Sequence, residues 1–173
     1  MPKIIENVRE QLLAVAKQQI AKQGYAKTTI RSVASECGLG VGTVYNYFKS
    51  KDMLIATFML EDWQECLERM KSSYSDDIEA VLRGIYDALQ DFMVKHNALF
   101  ADSDAAKVFA TVFSQKHKLL RCQIADIILP LLSDSKAENK LFFAEFIAES
   151  LLTWTVEGRG FNDLFPIISL LLK

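Results

Sequence analysis

The chain is poor in residues that interrupt helices. Seven glycines and three prolines are spread over 173 positions, too few to punctuate a series of short strands and tight turns. Cysteine is scarce too. Cys37, Cys66 and Cys122 stand far apart with no CxxC, which provides neither a disulfide framework nor metal-ligand spacing. The two histidines, His96 and His117, fall on separate segments, and no Ser/His/Asp or Cys/His pattern accompanies them. No enzyme, metal or cofactor is expected from such a set. Long apolar runs are also missing. The longest, Leu164 to Leu172, falls short of the ~20 residues that span a bilayer. The N-terminus, MPKIIENVREQ, lacks the apolar core of a signal peptide. A soluble cytoplasmic chain with no membrane partner is expected.

What is abundant points to helices. Hydrophobic residues make up 50% and charged residues 24% of a chain rich in Ala, Leu, Lys, Glu and Ile, so an all-α fold of about nine helices is expected. Val8, Leu12, Val15, Ala16 and Ile20, with Ile5 before them, recur at helical spacing and predict a helix over residues 4–23 that Gly24 ends. A long helix over 51–71 follows a short-helix region. Further helices are predicted over 77–95, from Ser103 or Asp104 to about 132, over 137–157, and from Asn162 or Asp163 to the end. Charge is divided unevenly. Residues 1–51 hold eight Lys/Arg against three Asp/Glu, and the remainder holds 12 against 19. That asymmetry suits a first part that meets a polyanion.

The densest signal is GYAKTTIRSVASECGLGVGTVYNYFKSK, residues 24–51. It reads as two short helices joined at a glycine turn. Thr28 or Thr29 caps the first, which sends Ile30, Val33 and Ala34 inward. Gly38 supplies the positive φ that ends it. The second, from about Val41 to Tyr47, carries tyrosines and an asparagine instead of a plain apolar stripe. This is the layout of a helix-turn-helix, whose second helix enters the DNA major groove.

Thr28-Thr29, Val33-Ala34 and the run Cys37 to Lys51, with Gly24-Tyr25 before and Asp52-Met53-Leu54 after, resemble the signature of the TetR/AcrR family of transcriptional regulators. The resemblance covers about residues 5–60. Gly40 departs from it, because the family often has serine or a similar capping residue there. The resemblance implies a helix-turn-helix DNA-binding domain over 1–50 and a helical ligand-sensing and dimerisation domain over 51–173. It also implies phosphate contacts from Lys51, Tyr47 and Thr28 or Thr29, with Lys49 a further contact or a solvated lysine. Base reading falls to the second helix of the pair. Gly42 allows close approach, Thr43 can meet a thymine methyl, and Asn46 has bidentate geometry for adenine. Arg31 reaches DNA or stands as a surface arginine. Tyr45 serves packing or DNA contact. Val44 and Phe48 are expected in the core.

The family's C-terminal domain senses a small molecule, which implies a pocket among Met59, Trp63, Leu67, Tyr86, Phe92, Phe109, Phe113 and His117. The same Phe and Met residues also read as plain core. Without a charge cluster among them, the effector is expected to be small and mostly apolar. His96 reads as helix-terminal, and Glu61, Asp62 and Glu65 as a solvated helix face.

The helix over 137–157 is apolar nearly all round, so it is buried on several sides. A second copy of the chain most easily supplies the extra side. Phe143, Ile147, Ala148, Leu151, Trp154, Leu164 and Ile168 are the expected homodimer interface. Two-fold symmetry would then space the reading helices roughly 34–36 Å apart on a palindromic operator. Repression relieved by the effector is the expected function. The alternative is a DNA-bound protein-interaction factor of the same fold with no small-molecule sensor.

Overall fold

The computed structural model describes residues 7–73, 75–135 and 137–172; for residues 106–115 it describes the backbone alone. Every regular element among them is helical: α1 (Val8–Lys27), α2 (Ile30–Glu36), α3 (Val41–Tyr47), α4 (Lys51–Ser72), α5 (Ile78–Lys95), α6 (Asn97–Phe100), α7 (Ser103–Ile128), a 3-10 turn (Leu129–Leu132), α8 (Lys140–Val156) and α9 (Phe161–Leu171). The fold is all-α, as the scarcity of glycine and proline predicts.

The ends of the helices follow local chemistry. Gly24, at φ 80, breaks the helical path of α1 three residues before Lys27. Ile5, the first apolar position of the predicted stripe, lies outside the described residues. Thr29, not Thr28, caps α2: its hydroxyl accepts from Ser32 N at 3.0 Å, and Ser32 Oγ accepts from Thr29 N at 2.9 Å. Asp102 caps α7 instead of the expected Ser103 or Asp104, accepting from Asp104 N at 2.9 Å and Ala105 N at 3.0 Å. Asn139 accepts from Phe142 N at 2.9 Å, so α8 starts later than predicted. Pro130, which has no N–H to donate, falls in the 3-10 turn that follows α7.

The chain divides into two compact units. One comprises Met1–Asp62 with His96–Ala110, the other Trp63–Lys95 with Thr111–Lys173. The first therefore reaches well past residue 50, the expected end of the helix-turn-helix domain, and takes in the start of α4 and all of α6. Its core joins Leu12, Leu13, Ala16 and Ile20 of α1 to Ile30, Val33 and Ala34 of α2, Val44 of α3 and Phe48 just after it, Leu54, Ile55 and Phe58 of α4, and Leu99 of α6. The second unit buries Leu67 and Met70 of α4, Val81, Leu82, Ile85 and Leu89 of α5, Ile124 and Ile128 of α7, and Ala144, Ile147, Ala148 and Leu151 of α8. There α5 runs close to the end of α4: a Cβ on Gly84 would stand 2.6 Å from Ser73 Cβ. All three cysteines are free thiols, and burial pushes the Cys66 thiol up to about 11. Among the described residues, no helix is long and apolar enough to cross a membrane.

Candidate nucleic-acid interface

Two short helices and the turn between them build the site. α2 and α3 pack on each other, and α1 packs on α2. Ile30, Val33, Ala34, Val44 and Phe48 turn inward, which fixes what α3 turns outward. Gly42 and Asn46 stand one turn apart on that outer side, both exposed, with half-buried Thr43 beside them. Tyr45 and Tyr47 flank this strip, 45% and 47% exposed. An aromatic side chain left that open on a seven-residue helix contributes little to its own fold.

Gly42 is informative. It lies inside α3, where glycine costs about 0.5–1 kcal/mol against alanine. Yet an added Cβ would meet nothing within 4 Å and the backbone has no positive φ. Among the described residues, nothing requires glycine there. Gly40 is similar in one respect: a Cβ there would find only Thr43 Oγ1, at an ordinary 3.8 Å. Gly38 differs from both, because its φ of 66 closes α2.

The cationic and hydroxylic candidates divide. Thr29 and Arg31 are exposed. Thr28 is only 1% exposed and its hydroxyl donates to Gly24 O at 2.9 Å, which ties it to the end of α1. Lys49 donates to Tyr45 O at 3.2 Å, steadying the end of α3. Lys51 is half-buried. Its Nζ donates to Tyr25 O at 3.0 Å and lies 3.5 Å from the Tyr25 ring centroid. Burial holds the Lys51 ammonium below its usual range, against the pull of Asp52, Asp102 and Asp104. The Tyr25 hydroxyl in turn donates to Asp52 Oδ1 at 2.6 Å, and burial and that carboxylate push the phenol up. Lys51 is thus held at the first turn of α4, with donor capacity left over.

The expected effector residues are placed differently. Met59 is buried in the first unit; Trp63, Leu67 and Phe92 are buried in the second. The Trp63 ring meets Phe92 edge-on at 5.5 Å and donates Nε1–H to Gln123 Oε1 at 2.9 Å. Tyr86 donates to Arg159 O at 3.0 Å. His117 Nε2 lies 2.9 Å from both carboxylate oxygens of Glu149. Phe109 and Phe113 lie outside the described side chains. A groove of about 420 Å³ in the second unit is lined by Gln64, Leu67, Lys71, Gln123, Asp126, Ile127 and Pro130. Of the expected residues whose side chains are described, Leu67 alone is among them. The described residues bring together no three His, Cys, Asp or Glu side chains able to hold a metal ion.

The expected dimer residues also divide. Ile147, Ala148, Leu151, Leu164 and Ile168 are buried within the single chain, while Phe143 is half-buried and Trp154 exposed. The outward side of α8 carries Phe142 and Phe146, 64% and 46% exposed, and α9 turns out Ile167, Leu170 and Leu171. α8 is apolar on both sides, so spacing alone does not say which side faces in. Asp62, expected on a solvated helix face, is buried and paired with Lys17 at 2.6 Å.

Residues 12–57 match the family profile described as "Bacterial regulatory proteins, tetR family". The fatty acid metabolism regulator protein of Bacillus subtilis is 28% identical over 119 residues, 68% of this chain and 59% of its own length. The regulator BetI of Stenotrophomonas maltophilia is 37% identical over 82 residues, 46% of this chain and 42% of its own. The chain therefore matches only about half the length of these curated relatives. A TetR-family regulator from Pectobacterium atrosepticum superposes with a TM-score of 0.66 at 20% identity, covering 94% of this chain and 89% of that one. A fatty acid degradation regulator from Bacillus halodurans does so at 0.60 and 18% identity, covering 98% and 97%. Both structures show the shared fold. Residues 12–57 thus match the TetR family in sequence, and the chain shares the fold of these two solved structures.

Proposed function

We propose that this protein is a ligand-responsive transcriptional repressor of the cytoplasm that binds a palindromic operator as a homodimer. The observation that carries the DNA role is the outer strip of α3. Gly42, Thr43 and Asn46 stand between two half-exposed tyrosines, on a glycine the fold itself does not need. Thr29, Arg31, Tyr47 and Lys51 supply phosphate contacts, and these dominate affinity because each neutralised phosphate releases counterions. Asn46 and Thr43 read base edges.

The dimer rests on α8 and α9. Phe142, Phe146, Trp154, Ile167, Leu170 and Leu171 are exposed on two neighbouring helices, an apolar surface of the kind that marks an interface. The same patch on a second copy, met across a two-fold axis, buries both.

The effector reading rests on the groove between α4 and α7. Leu67, Ile127 and Pro130 offer apolar surface; Gln64, Lys71, Gln123 and Asp126 offer polar partners. Its volume is within the range of small-molecule sites. Such a lining suits an apolar body with one polar end. Lys71 now pairs with Glu68 at 2.8 Å in an exposed bridge, which is worth little and is easily exchanged for a ligand anion. One curated relative is named for fatty acid metabolism, so fatty acids of increasing length are the first compounds to try. The second reading, a DNA-bound interaction factor with no sensor, is favoured by the packing of Trp63 and Phe92 as core. Thermal stability measured across the fatty-acid series separates the two. A concentration-dependent rise with release from DNA supports the sensor; no response to any member, with DNA binding intact, supports the interaction factor.

A further inference from the structure

Asp62 is the least accessible carboxylate described in the first unit. Its side chain is 0% exposed, on the inner side of α4. Oδ1 accepts from Lys17 Nζ of α1 at 2.6 Å, and Oδ2 lies 3.1 Å from Nε2 of His96, whose side chain is 4% exposed. His96 immediately precedes α6. Phe58 stacks on its ring, with centroids 6.0 Å apart and planes inclined by 12°. Phe100 meets it edge-on at 6.4 Å, and Lys17 Nζ stands 5.7 Å from the Phe58 centroid. One buried carboxylate therefore ties three helices of the first unit together: α1, which α2 rests on, α4, which follows the reading helix, and α6.

The place of these residues along the chain adds a second observation. The first unit ends at Asp62 and resumes at His96. The chain thus leaves the unit directly after one member of the cluster and re-enters it directly at another. A buried ion pair is poor evidence for stability, since desolvating it costs about as much as the attraction returns. Its better-attested use is to specify one arrangement over others.

We propose that Lys17, Asp62 and His96 form a clamp that positions the helix-turn-helix for operator binding, with Asp62 the positioning residue. The clamp rests on the DNA-binding reading above. It acts by holding α1 in one register against α4 and α6; opening it frees α1–α3 to leave the operator-competent arrangement.

Asp62→Asn tests this cleanly, because electrostatics alone predicts the opposite result. Removing a negative charge should tighten binding to a polyanion. The clamp predicts binding weakened about ten-fold or more, with an unchanged salt slope because no phosphate contact is lost. Lys17→Arg should stay close to wild type, and Lys17→Met should weaken binding with the slope again unchanged; a lost phosphate contact would lower it by about one. The probe is the duplex that wild-type full-length protein selects from random DNA. Affinities are read well below each variant's melting temperature, with helical content checked by circular dichroism. If Asp62→Asn does not fold, the double variant Lys17→Met/Asp62→Asn, which removes both charges, is read in its place and by the same criterion. Binding at or above wild-type strength by a folded variant overturns the clamp and leaves the DNA reading standing. A wild type that selects no DNA overturns both.

Discussion

Gly42 and Gly84 look alike in the sequence, single glycines inside helices, and the structure gives them opposite meanings. At Gly42 an added methyl meets open space. Gly42→Ala should therefore stabilise the isolated protein by about 0.5–1 kcal/mol while weakening operator binding, because the methyl stands where the groove must approach. Melting temperature and DNA affinity, measured together, should move in opposite directions. At Gly84 a Cβ would stand 2.6 Å from Ser73 Cβ. Gly84→Ala should lower stability by about 1–3 kcal/mol, the usual range for overpacking, seen as a lower urea midpoint. The two threonines ahead of α2 divide in the same way. Thr29→Ala removes the cap and should cost about 1 kcal/mol. Thr28 is a buried hydroxyl bonded to Gly24 O, a role that adjacent identical residues gave no means to assign. The outer strip of α3 was legible from sequence because the glycine turn sets the register and Val44 marks the inner side.

At the level of elements, α8 shows where sequence reasoning runs out. Its apolar character on all sides is real, but the side turned to the core is the one with Ala144, Ile147, Ala148 and Leu151, and the side turned out has Phe142 and Phe146. Ala148→Glu places a charge in the subunit's own core and should abolish folding. Phe146→Glu should leave the helices intact and yield monomers by light scattering; if it remains dimeric, the proposed interface lies elsewhere. The polar rim of α8 holds it to α7. Glu149 receives His117 at 2.9 Å, Thr153 at 3.0 Å and Arg121 at 3.5 Å. Burial works to raise its carboxyl, but these partners outweigh it and hold Glu149 below its usual range. A carboxyl lowered on folding adds stability that is complete above its unfolded pKa of about 4.3 and is lost as pH falls through the lower folded value. Wild type should therefore melt above Glu149→Gln at neutral pH, and the gap should close below about pH 4. A gap that persists into strong acid would remove Glu149 from the α7–α8 tie.

For the molecule as a whole, the fold class and the helix-turn-helix were the legible parts, since both depend on local spacing. Asp62 shows why the rest was not. It sits beside Glu61 and near Glu65, and nothing along α4 distinguishes it; its partner Lys17 is 45 positions away. The uneven charge, basic through residue 51 and acidic beyond, fits a protein that presents one end to a polyanion and keeps the rest away from it. The most direct test is selection of bound sequences from random duplex DNA, followed by salt titration of the selected sequence on wild type and on Tyr47→Phe/Lys51→Ala. A palindromic sequence bound with steep salt dependence, and a double variant with weaker binding and a shallower slope, is the predicted result. No enriched sequence, or binding indifferent to those two residues, would contradict the account.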